Sequence, residues 1–486
     1  MNSGNLLEQV LSALKTGHIE RAQSKLAELL ASGMALGDTW LLVAKLAQKM
    51  GELELAIQAL HLYLASNQHT AHEHLQAAGI MAEMGHIKTA LGNIEVLQSK
   101  GRYDVSLQHF IASAHMQLGE LDLARKTFTE LLNHWPAAGQ SWLSFSALTA
   151  FNHQEHALAF IQQAAAAVQK SDNISQACYQ YALGKAYFDC DEIDLAWRAY
   201  HQGANLMASQ QHYDVAHAHK VTAAIIDSFK PESFKQLEAS KLSTPPPIFV
   251  LGWPRTGTTL VEHMLCAHSK VIGGGEIDLL QKSTLALGGL GCSYARRYQA
   301  NFAAGHLGWE HLAKRYHYLA AQRFGQQGCI VDKTLNNSRY LGLIARMFPN
   351  APIIWLQRDP MDAALSCFRT FFSGNQAWSW SLSNIAQHFQ QEDKLFKHWH
   401  SLLPDRILVV PYEQLVKDPT YWQTKILGFC GLSTEPALSH FYQNDRAVTT
   451  SSTVQVRQQV HQNSVAGSRA IAHYMQEFTR SYQLHH

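Results

Sequence analysis

The sequence predicts two architectures in series: an all-α array of repeated helix pairs, then an α/β domain on a mostly parallel sheet. Two observations carry this expectation. A short motif, opening on glycine and closing on alanine, returns through the first part of the chain at a nearly constant interval. The rest alternates short apolar runs with helical stretches, the pattern of strands joined by crossover helices. The 486 residues exceed the usual size of one hydrophobic core, so more than one is expected.

The repeat is explicit. Gly17-His18-Ile19-Glu20-Arg21-Ala22 recurs as Gly51-Glu52-Leu53-Glu54-Leu55-Ala56, as Gly85-His86-Ile87-Lys88-Thr89-Ala90 and as Gly119-Glu120-Leu121-Asp122-Leu123-Ala124. Copies without the glycine run from Asn152 to Ala157 and from Asp191 to Ala196, and the six closing alanines lie 34, 34, 34, 33 and 39 residues apart. Before Gly51 stands the apolar helix Trp40–Ala47, with Asp38 as its expected N-cap. Glycine past a helix end takes a positive φ at little cost, the acidic residue suits the next helix's first turn, and the alanine lets paired helices approach. A 34-residue period resembles the tetratricopeptide repeat, a helix–turn–helix unit stable only when stacked. About six units fit between residues 5 and 210. Two roles stay open for them: a concave surface for peptides or partner proteins, or a spacer that rigidifies or dimerises the chain.

The pattern changes near residue 230, where Lys230-Pro231-Glu232 breaks the helical run and Ser243-Thr244-Pro245-Pro246-Pro247 forms a stiff connector. The expected division is a helical domain over 1–229, a linker over 230–246 and an α/β domain over 247–486. Strands are expected at 248–251, 270–272, 329–331, 353–356 and 407–410. In such sheets ligands bind beyond the carboxyl ends of the strands, so the residues following each strand come into question.

Composition narrows the function. Charged residues are 16% and hydrophobic residues 47%, which argues for ordinary folded cores and against disorder. The net charge of +1 gives no global field for nucleic acid or an anionic membrane. The opening residues lack a basic and then apolar leader, and no run approaches the roughly 18 apolar residues of a membrane span. The 28 histidines and seven cysteines fall in no metal-ligand spacing, and the odd, scattered cysteines suit reduced thiols in a cytoplasm. No metal is expected.

After the first strand comes Gly252-Trp253-Pro254-Arg255-Thr256-Gly257-Thr258-Thr259, then the apolar helix Leu260–Leu265. Strand, glycine-containing loop and helix N-terminus make an anion cradle: main-chain N–H groups face inward and the helix dipole adds positive potential. Thr256, Thr258 and Thr259 add hydroxyl donors, and Arg255 adds a full charge. The spacing matches G-x-x-x-x-G-K-[ST] except that Thr258 replaces the lysine that reaches the outer phosphates of a triphosphate. A shorter ligand, one 5′-phosphate bearing one transferable group, fits better. A second anion site follows the fourth strand. In Gln357-Arg358-Asp359-Pro360-Met361-Asp362, Asp359 and Pro360 suit N-cap and N1, and Arg358 presents a fork matched to phosphate.

The segment Pro247–Thr259 resembles the 5′-phosphosulfate loop of the sulfotransferase family, and Arg358 through Ser366 resembles its R-D-P-x-D-x-x-x-S site. With the repeats counted, nearly the whole chain is similar to bacterial tetratricopeptide-repeat sulfotransferases, themselves similar to tyrosylprotein sulfotransferases. The resemblance implies 3′-phosphoadenosine 5′-phosphosulfate as donor, bound at Arg255, Thr256, Gly257, Thr258 and Thr259. It implies Arg358 and Ser366 on the 3′-phosphate, Tyr412 on the nucleotide, and Ser452 and Arg457 in a closing terminal loop. Gly273-Gly274-Gly275-Glu276 matches the family's G-x-G-E, which makes Glu276 the general base with Asp278 in reserve. Asp332-Lys333-Thr334-Leu335-Asn336-Asn337 resembles D-K-x-P-x-N, with Leu335 in place of the proline; Lys333 would neutralise charge on the bridging oxygen and Asn337 orient the acceptor or sulfuryl group. Where the family shows Gly-Arg-Trp, this chain has Ala466-Gly467-Ser468-Arg469, which leaves the role of Arg469 open.

The expected activity is sulfuryl transfer to a hydroxyl acceptor, protein tyrosine among the candidates, with the repeats offered to a peptide or protein. Polysaccharide, lipid and small-molecule hydroxyls remain open, and Phe371, Phe372, Trp378 and Trp380 could line an acceptor cleft or belong to the core. The alternatives are a nucleotide kinase or phosphatase on the same loop and a scaffold with an inactive catalytic domain.

Overall fold

The computed structural model describes residues 3–66, 69–153, 156–302, 308–325, 328–372, 374, 376–435 and 465–482. Its first part is helical: α1 (Ser3–Lys15), α2 (Ile19–Ala31), α3 (Thr39–Met50), α4 (Leu53–Ser66), α5 (Ala71–Glu83), α6 (Ile87–Ser99), α7 (Val105–Leu118) and α8 (Leu121–His134). There follow α9 (Gly139–Ala147), α10 (His156–Gln163), α11 (Ala165–Val168), α12 (Asn173–Asp189), α13 (Ile193–Ala208), α14 (Val215–Ser228) and the short α15 (Pro231–Lys235). The glycine motif sits at the turns within pairs. Gly51 ends α3 at φ 82°, its N–H donating to Ala47 and Gln48. In the sixth copy Asp191 stands in the glycine's place and adopts φ 60° itself, a conformation Asp tolerates better than most residues. The motif alanines Ala22, Ala56, Ala90, Ala124 and Ala196 are all buried, which explains the small side chain. Asp38 occupies the N-cap position of α3 but makes no capping hydrogen bond, because its own backbone is already helical (φ −63°, ψ −18°) and the side chain is not swung over the first turn.

The second part holds β1 (Ile248–Gly252), α16 (Thr258–Cys266), β2 (Val271–Gly275), α17 (Leu279–Ser283), α18 (Cys292–Gln299), α19 (Gly308–Phe324), β3 (Cys329–Asp332) and α20 (Leu341–Met347). It continues with β4 (Ile353–Gln357), α21 (Pro360–Phe368), α22 (Leu382–Leu402), β5 (Ile407–Pro411), α23 (Tyr412–Lys417), α24 (Pro419–Phe429) and α25 (Gln476–Tyr482). The strands form one sheet in the order β2-β3-β1-β4-β5, every pair parallel. β1 is buried along its whole length, as its unbroken apolar run Ile248–Leu251 requires. One face of the sheet packs under α16 and α24 through Val261, Leu265 and Trp422; the other packs under α19, α20 and α22 through Tyr316, Ile344 and Trp399.

The chain leaves β1 towards β2 on one side and leaves β4 towards β5 on the other, so β1 and β4 flank a switch point, where ligands of such sheets bind. The helical region shares core with this domain: Tyr181, Trp197 and Tyr200 pack with Trp253, Phe368 and Trp380. Among the described residues no helix is long and apolar enough to cross a membrane.

Candidate active site

The loop after β1 is built on unusual backbone. Gly252 takes φ 149°, Arg255 φ 68° and Gly257 φ 94°. A Cβ on Gly257 would stand 2.6 Å from the Tyr412 ring, so only glycine lets the loop lie against that side chain. Arg255 is a non-glycine residue held in the left-handed region, a cost that binding sites often carry. The tight loop opens directly into α16, whose first-turn N–H groups lack intrahelical acceptors. Thr258 and Thr259 are buried in that first turn. Thr256 departs from the expected ligand-facing donor: its hydroxyl donates to the Trp253 carbonyl at 2.7 Å and braces the loop from within.

The two expected anion sites form one cluster. Arg255 Nε donates to Ser366 Oγ at 3.0 Å, and Arg358 Nη1 donates to the Arg255 carbonyl at 2.7 Å. The Arg358 guanidinium lies 4.6 Å over the Tyr412 ring. A third guanidinium, Arg369 just past α21, rests 3.4 Å over Phe188 of α12. Burial, first, holds the Arg255 guanidinium below its ordinary pKa, and the positive charges of Arg358 and Arg369 act in the same direction. Converging guanidiniums beside a helix N-terminus suit a ligand carrying phosphates at two places, because each anion relieves the mutual repulsion.

α21 is anchored as its sequence implies, with Asp359 capping Asp362 N at 3.0 Å and Pro360 in the first turn. Asp362 has a further task. Its carboxylate accepts from Ala466 N at 2.6 Å and Ser468 N at 2.9 Å, fastening a segment near the end of the chain beside the cradle. Arg469, next along, is exposed. Glu413 accepts from Asp359 N at 2.8 Å and ties the β5 end to the β4 end. Ser452 and Arg457 lie outside the described residues.

The second cluster follows β2 and β3. The register between these strands slips between Gly273 and Gly275, and a Cβ on Gly274 would meet the Val331 carbonyl at 2.8 Å. This irregularity re-aims the chain at Glu276. Gly275 is held from both sides: its N–H donates to Glu262 Oε1 of α16 at 2.8 Å, and its carbonyl accepts from Lys333 N at 3.0 Å. Lys333 Nζ then meets Glu276 Oε1 at 2.7 Å, the lysine side chain 1% exposed and the glutamate 50%. An exposed carboxylate on a buried ammonium leaves the glutamate open to a further ligand. Asp278 is exposed as Glu276 is, but the chain packed around its carboxyl raises its pKa, with Lys282 and Arg323 opposing and Glu276 adding. Asn337 is buried and its amide donates to Asp332 Oδ1 at 3.0 Å, which fixes it against the end of β3. Trp378 and Trp380 are core, while Phe371 and Phe372 pack on that core half-buried.

The structure thus joins Arg255, Gly257, Arg358, Ser366 and Tyr412 in one cluster beyond β1, β4 and β5, and Glu276 with Lys333 in another beyond β2 and β3. Sequence reading missed Glu262, the anchoring role of Asp362, and Arg369. A carboxylate within the apolar α16 signals the first, and the motif itself contained the second; nothing in the local sequence marks Arg369.

A parallel sheet with an anion cradle beyond its carboxyl edge is a frame suited to a phosphate-bearing ligand. Residues 246–436 match the model of the sulfotransferase family. An uncharacterized protein of Aquifex aeolicus (strain VF5) is 26% identical over 388 residues, 78% of this chain and 50% of that protein. A protein-tyrosine sulfotransferase of Drosophila melanogaster is 29% identical over 215 residues, 40% of each. The chain therefore spans half or less of the length of these relatives. Among solved structures, a sulfotransferase domain from the curacin biosynthetic pathway aligns at 20% identity and TM-score 0.36, over 51% of this chain and 99% of that one.

Proposed function

We propose that this protein transfers a sulfuryl group from 3′-phosphoadenosine 5′-phosphosulfate to a hydroxyl acceptor, with protein tyrosine the favoured acceptor. The donor supplies a sulfuryl group whose bond to the 5′-phosphate oxygen breaks as the acceptor oxygen bonds to sulfur. Arg255 and the main chain of Gly257, Thr258 and Thr259 hold the 5′ end, with Thr256 fixing the loop. Arg358 and Ser366 hold the 3′-phosphate and Tyr412 packs on the nucleotide. Glu276 takes the acceptor hydroxyl's proton, and Lys333 offsets the charge that builds on the bridging oxygen.

The observation that carries this reading is the Glu276–Lys333 pair at 2.7 Å, on a strand end next to a guanidinium-rich loop that has Thr258 where a triphosphatase has lysine. Tyrosine is favoured because the Drosophila relative is named for it, and because a 34-residue helical repeat of tetratricopeptide type is a peptide-binding kind of scaffold.

Thermal unfolding with nucleotides tests the donor. Adenosine 3′,5′-bisphosphate at about 100 times its Kd stabilises the protein by about 2.7 kcal/mol, and ATP at equal concentration stabilises it far less. Stabilisation by ATP alone would overturn the donor assignment and favour a kinase. In the same study, sulfate-labelled donor incubated with a cell lysate places the label on tyrosine; label on saccharide or lipid overturns the protein acceptor.

A further inference from the structure

Helix α19 meets the helical region along one stripe. His311 pairs with Glu20. Arg315 Nη2 donates to the Met50 carbonyl at 3.1 Å and to Glu52 at 3.0 Å. Tyr318 and Gln322 donate to the other Glu52 oxygen at 2.9 and 3.1 Å. Arg323 Nε donates to the Met84 carbonyl at 3.1 Å, and its Nη2 to the Glu83 carbonyl at 2.9 Å. The spacing 311, 315, 318, 322 is that of one helix face. Its partners are the turns at Gly17, Gly51 and Gly85, so the periodic turns themselves form the docking edge. A Cβ on Gly51 would already press on Leu319 and Lys282, both at 3.1 Å.

The same helix reaches the reactive strand ends. Tyr316 donates to Asp332 Oδ2 at 3.0 Å, beneath Lys333. Arg323, while gripping the end of α5, turns Nη1 to the carbonyl of Ile277 at 3.5 Å, one residue past Glu276. Asp278 stands within reach of the same guanidinium charge.

We propose that Arg323 is a positioning residue for Glu276: by holding the carboxyl end of α5 and the Ile277 carbonyl at once, it makes the helical region a working part of the loop that carries the base. The inference rests on Glu276 acting as base, as read above. Its consequence is that the helical region governs turnover, and not only the capture of an acceptor.

The test compares full-length wild type with Arg323→Ala and Arg323→Lys. Three quantities are read: binding of adenosine 3′,5′-bisphosphate, kcat and donor KM with p-nitrophenol as acceptor probe, and deuterium uptake over 275–280. Arg323→Ala lowers kcat on the order of 10- to 100-fold, the range expected for a misplaced group, and speeds exchange in the loop. Donor KM and bisphosphate affinity stay at the wild-type values. Arg323→Lys recovers part of kcat, since an ammonium can reach one carbonyl but not the set. Wild-type kcat and exchange in Arg323→Ala would overturn the proposal, as would a loss carried by donor KM. If the alanine variant does not fold, the lysine variant decides on the same criteria: reduced kcat at unchanged KM supports the role, unchanged kcat overturns it. A wild-type chain that neither binds the bisphosphate nor turns over marks the failure of the underlying functional reading instead.

Discussion

At Asp332 a carboxylate lies fully buried at the end of a central strand, accepting from Tyr316, Thr334 and Asn337. Burial lifts its pKa from the ordinary 3.8 to about 6, against those hydrogen bonds, which pull it down. A folded-state pKa above the unfolded one means that the folded chain holds the proton more tightly. Stability from this group is therefore present below about pH 4 and lost as pH rises through about 6, an amount on the order of 2–3 kcal/mol. Asp332→Asn keeps the geometry, because one amide oxygen accepts from Thr334 and Asn337 while the amide nitrogen donates to the Tyr316 hydroxyl. Urea unfolding at pH 4.5 and pH 7 should show the wild type losing stability between them by more than the asparagine variant does. Equal losses would mean that Asp332 titrates normally. Single residues of this kind divide by legibility. Glu276, Lys333, Arg255 and Arg358 could be picked from sequence because each stands within four residues of the end of an apolar run, where parallel sheets bind ligands, and in a segment that resembles a family motif. Arg369 could not be, since its place beside Arg255 depends on Phe188, 181 residues earlier in the chain.

At the scale of elements, short apolar runs between helical stretches were enough to locate the five strands of the described sheet. Their order β2-β3-β1-β4-β5 was not readable, because pairing is decided by which crossover packs where. Helix ends were legible where backbone conformation decides them, as at Gly51, and not where a side chain must also swing into place, as at Asp38. Helix α21 shows an element joined to a distant one by a single side chain. Asp362 on its first turn takes the N–H groups of Ala466 and Ser468, bonds shortened by the carboxylate's charge. Asp362→Ala leaves both donors without that acceptor, costing about 1–3 kcal/mol per buried group at most. The expected result is faster amide exchange at 466–468 and a lower unfolding temperature, with the α21 amides little changed. Unchanged exchange at 466–468 would show that the segment is held by Ile471 and Met475 in the apolar core alone.

Across the whole molecule the same residues serve two scales. Glu52 belongs to the repeated Gly-acid turn, where local rules assign it only to a helix start, yet it is 0% exposed and is the acceptor for Arg315, itself 7% exposed. Gln23 of α2 also donates to it, at 3.3 Å, so one carboxylate joins two helix pairs to α19. Intramolecular domains joined by modest polar interfaces usually move and unfold separately. Here a buried ion pair, Arg323 and the shared aromatic core around Tyr181 and Trp380 bind the two regions at both ends of the helical region, which predicts one cooperative calorimetric transition. Glu52→Ala strands a buried guanidinium, a change that costs about 3–5 kcal/mol. It should split the transition in two, the helical region melting first. Replacing the pair together, Glu52→Met with Arg315→Met, removes the uncompensated charge and should restore much of the lost stability. If the double replacement melts as early as Glu52→Ala, the loss lies in the hydrogen bonds from Tyr318 and Gln322, and the turn at Gly51 is held by a network in which the ion pair is a minor member.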